Sequence, residues 1–265
     1  MNKVVLAASL AFAITFTLNA CSSSDDKDSN DNGSNNNAED YCDYYYGYYY
    51  CDDLRPSSSS LRPSSSSVGN VSGTFTDSRN NSTYKWVKIG NQIWMARNLD
   101  YNASGSKCYD NKAQNCDKYG RLYTWATAMA LPATCNSSTC SGRINTNHQG
   151  ICPSGWHIPS DNEWDELKYY VGSTMVGWHL KATSGWGDYD YGGGDTFGFS
   201  ALPGGSGISA DNKYYKAGEG GHWWNHSEAD SKNAHSRALG YNTDRFYSND
   251  VEDKTLPFSI RCVKD

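Results

Sequence analysis

Polar and apolar positions divide this chain into unlike stretches. Val4–Leu18 is a run of fifteen mostly apolar residues behind Lys3, relieved by Ser9, Thr15 and Thr17. That length suits an export signal and is short for a membrane span. Residues 22–38 are mainly Ser, Asp and Asn with no large apolar side chain, so they cannot bury enough surface to fold. A Tyr-rich insert follows, with seven tyrosines between Tyr41 and Cys51. The heptad Leu-Arg-Pro-Ser-Ser-Ser-Ser then occurs twice, from Leu54 and from Leu61, and reads as an extended linker. Folding patterns begin after it. Tyr84–Ile89 and Gln92–Arg97 flank Gly90-Asn91, and Gly at the first turn position predicts a type II′ hairpin. Its register sets Val87 opposite Trp94 and Trp86 opposite Met95. Leu122–Ala130 predicts a short helix stopped before Pro132. Ser160 and Glu163 form a capping box, Trp164, Leu167 and Val171 follow at helical spacing, and Gly172 closes that helix. Residues 186–207 predict a long Gly-rich loop, and short strands are expected at Trp223–Trp224 and Phe258–Val263.

These patterns give a signal at 1–20, a disordered tether with the Tyr-rich insert and linker at 21–67, and one folded domain at 68–265. About 200 residues suffice for a single core. Leu18-Asn19-Ala20-Cys21 resembles a lipobox, which implies a lipid on Cys21. Ser22 after it resembles the outer-membrane sorting pattern, and Ser24-Asp25-Asp26-Lys27-Asp28 resembles an acidic surface-export signal. The chain is expected as an outer-membrane lipoprotein facing outward, touching membrane through its anchor only.

The cysteine count fits export. Of 9 cysteines, 8 remain once Cys21 is set aside. Cys42 with Cys51, Cys108 with Cys116, and Cys135 with Cys140 are sequence neighbours, which leaves Cys152 with Cys262. Spacing alone permits other connectivities. No C-x2-C pair is present to suggest zinc. Net charge is −6 without a basic stripe, which argues against nucleic acid.

Five segments occur in order: Trp94-Met95-Ala96-Arg97-Asn98-Leu99, Tyr119-Gly120-Arg121-Leu122-Tyr123-Thr124-Trp125, Cys152-Pro153-Ser154-Gly155-Trp156-His157-Ile158-Pro159, Gly198-Phe199-Ser200-Ala201-Leu202-Pro203-Gly204-Gly205, and Ser259-Ile260-Arg261-Cys262-Val263-Lys264-Asp265. Together they resemble the Fibrobacter succinogenes major paralogous domain family over residues 70–265. That resemblance implies a secreted or surface protein and brings no established activity. A looser resemblance is to the C-type lectin-like fold shared with formylglycine-generating enzymes. It implies an α+β domain with short helices and a small twisted antiparallel sheet, stapled by disulfides. The Glu-Pro-Asn and Trp-Asn-Asp calcium motifs of the lectins do not occur, and Cys262 is the only cysteine after Cys152, where the oxidase uses a redox pair.

With 9 Trp and 20 Tyr, aromatics are the unusual chemistry. Trp94, Trp125, Trp156 and Trp164 are expected in the core. Trp186, Tyr189, Tyr191, Tyr214, Tyr215, Trp223 and Trp224 lie in Gly-rich or polar segments and are candidates to stack on sugar rings. Neighbours on a strand face opposite ways, so one of Trp223 and Trp224 should be core and the other less constrained. Asp188, Asp190 and Asp195 could offer oxygens to calcium, against the plainer reading of a solvated glycine loop. His222 and His226 have helical metal-pair spacing in a segment unsuited to a helix. Ser200 is not in a nucleophile elbow. Glu163, Asp195 and Glu228 are scattered carboxylates with no predicted meeting point. The Tyr-rich insert reads as an adhesive patch or as low-complexity linker. A non-enzymatic surface module without an obligatory cofactor is expected, contacting extracellular or plant cell-wall glycan. The alternative is an envelope assembly protein that binds a partner protein.

Overall fold

The computed structural model describes residues 42–45, 48–51, 71–172, 174–187, 192–207 and 213–265. The chain divides between Pro63 and Ser64 into two units. Cys21, the polar tether, the linker, Asp188, Tyr189, Asp190 and Tyr191 lie outside the described residues, as do the side chains of Cys42 and Cys51.

In the first unit β1 (Cys42–Tyr45) pairs antiparallel with β2 (Tyr48–Cys51), with Cys42 opposite Cys51. Tyrosine favours extended, paired backbone.

The second unit contains β3 (Ser72–Asp77), β4 (Ser82–Ile89), β5 (Gln92–Met95), α1 (Ala113–Tyr119), α2 (Trp125–Ala128), β6 (Trp156–His157), α3 (Asp161–Val171), α4 (Val176–Leu180), β7 (Gly204–Gly207), β8 (Tyr214–Ala217), β9 (Gly220–Glu228), β10 (Asn233–Gly240), β11 (Phe246–Asp253) and β12 (Val263–Lys264). One antiparallel sheet has the order β3-β4-β5-β12-β6, so the last strand inserts between the hairpin and mid-chain. The other has the order β11-β10-β9-β7-β8, with β7 and β9 parallel. The fold is therefore α+β with two sheets, where one small antiparallel sheet was expected.

The hairpin has the anticipated register, Val87 opposite Trp94 and Trp86 opposite Met95. Gly90 takes φ +61° and Asn91 stays out of positive φ, as a II′ turn requires. The Ser160–Glu163 capping box is present, and α3 buries Trp164, Leu167 and Val171. The helix expected at Leu122–Ala130 is shorter. Leu122 and Tyr123 form bridges to Lys107 and Phe258, and the helix starts only after Thr124, whose side chain accepts from Thr127 N. Cys108–Cys116, Cys135–Cys140 and Cys152–Cys262 are bonded as expected.

Strand β9 lies between two cores. Trp224 joins Tyr123, Trp125, Phe258 and Ile260 on one side. Trp223 joins Trp94, Trp164, Phe199 and Phe246 on the other. Alternation along the strand holds, but both faces are covered.

Candidate functional site

Three of the candidate stacking residues are closed to a ligand. Trp223 and Trp224 are buried, and so is Trp186 at the edge of the second core. Each indole N–H is engaged: Trp223 donates to Asn98 Oδ1, Trp224 to Tyr123 O and Trp186 to Ala201 O. Their Gly-rich surroundings had suggested exposure. The glycines instead let large rings approach the backbone: a Cβ at Gly221 would lie 2.4 Å from the Trp223 ring. Tyr214 and Tyr215 do reach the surface, on β8. The Tyr214 ring packs on Tyr109 at 5.1 Å and its hydroxyl donates to Asn111, while Tyr215 is exposed.

A larger group of rings, one exposed and three half-buried, was not singled out by sequence. Trp178, His179, Phe197 and Tyr170 follow one another edge to face, with successive centroids 5.1, 5.9 and 5.9 Å apart. Tyr170 comes from the end of α3, Trp178 and His179 from α4, and Phe197 from the loop before β7. Glycine backbone seats two of them. A Cβ at Gly90 would lie 2.8 Å from the Tyr170 ring, and one at Gly194 would lie 2.3 Å from Trp178. Tyr170 stays 42 % exposed, with Tyr169 and Met175 also exposed beside it in sequence. His179 Nδ1 lies 2.8 Å from Thr196 Oγ1, and burial holds its imidazole below the usual value, so it is neutral near pH 7. The result is an uncharged aromatic ledge. The signal that could have found it is the spacing of Val176 and Leu180: with these turned inward, Trp178 is kept out of the core and stays half-buried.

The scattered carboxylates do not meet. Glu163 caps α3 and bonds His157 Nε2 at 2.7 Å. Asp195 accepts from the Ser200 N–H and hydroxyl at 2.7 and 2.6 Å, which closes its own loop. Glu228 accepts from Cys140 N and Ser141 N and pairs with buried Lys254, which also faces the Trp125 ring. His222 and His226 lie on a strand, not a helix. Among the described residues no group of three or more His, Cys, Asp or Glu could hold a metal ion.

A family model, the Fibrobacter succinogenes major domain, matches residues 87–264, well over half the chain. The chain belongs to that family. No curated protein and no solved structure matches it.

The five segments that carry the resemblance to the Fibrobacter major domain meet inside the molecule. Asn98 Nδ2 donates to Tyr119 O, and Asn98 Oδ1 accepts from Trp223 and from Arg261 Nε and Nη2. Arg261 Nη1 donates to Met95 O and Phe199 O. Arg261 is fully buried, and burial pushes its guanidinium down to about 9, which leaves it charged at neutral pH. Carbonyl and amide oxygens therefore solvate a buried cation at the junction of four segments. The remaining segment is tied to the last one by the Cys152–Cys262 bridge and by His157 Nδ1 to Asp265 at 2.7 Å. In this member of the Fibrobacter major domain family, the recognisable residues build the scaffold. The ring-bearing residues Tyr170, Trp178, His179 and Phe197 fall between those segments.

Proposed function

We propose that this protein is a lipid-anchored, non-catalytic binding module displayed on the bacterial surface, holding extracellular glycan such as plant cell-wall polysaccharide on partly exposed aromatic rings. The observation that carries this reading is the neutral ledge of Trp178, His179, Phe197 and Tyr170. Sugar rings present apolar C–H faces that pack on aromatic side chains, and an uncharged row of rings suits a neutral polysaccharide. Tyr109, Tyr214 and Tyr215 form a second, smaller contact surface of the same kind.

We also read the domain as C-type lectin-like. In support, a bridge of sequence separation 110 joins Cys152 to Cys262, Trp156–Pro159 leads into the capped helix α3, and the terminal strand lies between β5 and β6. The binding reading needs no calcium or other cofactor. Cys21 carries the lipid, and the polar tether and linker set the domain away from the membrane.

Affinity electrophoresis of the chain from Ser22 onward, in gels containing soluble glycans, tests this function. Retardation in at least one glycan is expected, and Trp178→Ala abolishes it. Unretarded migration in every gel defeats the reading. Crosslinking on intact cells that yields one abundant protein adduct would instead favour an envelope assembly role. Palmitate labelling that is equal in wild type and Cys21→Ala would remove the anchor.

A further inference from the structure

The three described disulfides sit in three different electrical settings. Cys152 and Cys262 are both fully buried in the first core, without a charged neighbour among their hydrogen-bonding partners. Cys135–Cys140 is also buried, and the Cys140 N–H is held by the Glu228 carboxylate. Cys108–Cys116 differs. Cys108 is half-buried, and Arg121 Nη1 lies 3.3 Å from both sulfur atoms. A guanidinium beside sulfur stabilises thiolate over thiol, which makes each sulfur a better leaving group when the other is attacked.

The surrounding segment is also positive. Lys107, Lys112, Lys118 and Arg121 oppose only Asp110 and Asp117 within residues 107–121, although the whole chain carries −6. Such a local field raises the encounter rate of anions.

We propose that Cys108–Cys116 is a site of thiol exchange that takes an anionic thiol. The incoming thiolate attacks Cys108 Sγ. The sulfur–sulfur bond breaks, its electron pair leaves on Cys116 Sγ, and Arg121 holds that thiolate. A second equivalent of the same thiol attacks the mixed disulfide at its external sulfur, which releases Cys108 and the oxidised external disulfide. Two external thiols are oxidised and one bridge is reduced.

The turn between the two cysteines is the part that responds. Asp110 and Asn111 both take left-handed backbone, φ 54° and 55°, a tight turn that Asp and Asn adopt more readily than other side chains and that the bridge closes. Tyr109 in that turn packs on Tyr214 and accepts a hydrogen bond from Ala217 N. Opening the bridge relaxes the turn and withdraws one wall of the Tyr109–Tyr214 contact. This inference stands apart from the glycan reading, which rests on the ledge around Trp178.

The test is timed exposure of the oxidised full chain to glutathione, 2-mercaptoethanol or cysteamine at equal thiolate concentration, followed by alkylation and peptide mapping. Cys108 and Cys116 should label before Cys135, Cys140, Cys152 and Cys262, with anionic glutathione faster than cationic cysteamine. Arg121→Gln should slow opening by roughly threefold and shrink the preference for glutathione, while Arg121→Lys keeps both. Simultaneous labelling of the three bridges, an unchanged rate in Arg121→Gln, or equal rates with glutathione and cysteamine would overturn the proposal.

Discussion

Trp224 and Trp178 are the same residue in opposite circumstances. Trp224 lies mid-strand with no exposed surface, packs on Phe258 at 4.5 Å, and gives its N–H to Tyr123 O. Trp178 lies on a five-residue helix, rests its ring on Gly194, accepts the Gly194 N–H on its carbonyl, and is only half-buried. A glycine neighbour does not separate them, because both regions are glycine-rich. Cover on the second face does. Strand β9 has a core on each side, whereas α4 has one on the side of Val176 and Leu180 only. An aromatic count therefore reports how much ring the fold must place, and the layers decide which rings remain outside.

The largest test of this contrast is truncation. Trp224→Ala should cost about 3–5 kcal/mol in urea unfolding. Trp178→Ala should cost less than about 1 kcal/mol and should act on glycan retention instead. Equal losses of stability would break the comparison.

A second test uses acid. His222 stacks on Phe258 at 5.0 Å, beside Trp224, and burial pushes its imidazole down to about 4. The unfolded chain takes up this proton near pH 6.5 and the folded chain only near 4. Stability should therefore fall by roughly 2–3 kcal/mol as pH drops through that window, and His222→Gln should flatten the slope. His157 works in the other direction. Burial alone would lower it, but its hydrogen bonds to Glu163 and Asp265 overcome burial and hold it above its usual value. Its contribution is complete below about pH 6.5 and is lost as pH rises through the folded value. Urea melts of wild type, His222→Gln and Glu163→Gln across pH 4–8 separate the two; parallel curves would show that neither imidazole is coupled to folding.

Smaller effects sharpen the picture. Brief N-bromosuccinimide treatment should oxidise Trp178 ahead of Trp94, Trp125, Trp164, Trp223 and Trp224, as mapped by mass spectrometry. Early oxidation of Trp224 would contradict its burial. Tyr215→Ala should shift stability by less than about 0.5 kcal/mol.

Local chemistry was legible in the sequence where it is self-contained. Gly90-Asn91 sets the register of its hairpin, Ser160 and Glu163 start their helix, and neighbouring cysteines find each other. Strand β10 was not legible. Its His, Ser and Arg give no apolar alternation, and its burial comes from β9, β11 and the ion pairs of Arg237 with Asp161 and Asp165 at 2.8 and 3.3 Å. The same limit applies to Trp223 and Trp224. Alternation correctly sends them to opposite faces, but only the tertiary fold shows that both faces are covered. The ledge was missed because its rings come from three segments, and no one segment shows it.

The Cys152–Cys262 bridge also has a mechanical meaning. A pull entering the second unit from its N-terminal side meets β3 first, an edge strand paired with β4 alone. The chain before Cys152 can unravel under load. Between Cys152 and Cys262 the covalent path shortcuts the peptide chain, so a load that enters at one cysteine and leaves at the other adds almost nothing to the extended length. The second unit is built as a yielding leader followed by a closed loop, and α3, α4 and the Trp178 ledge lie inside the loop, where at most the 26 residues from Cys152 to Trp178 can be drawn out.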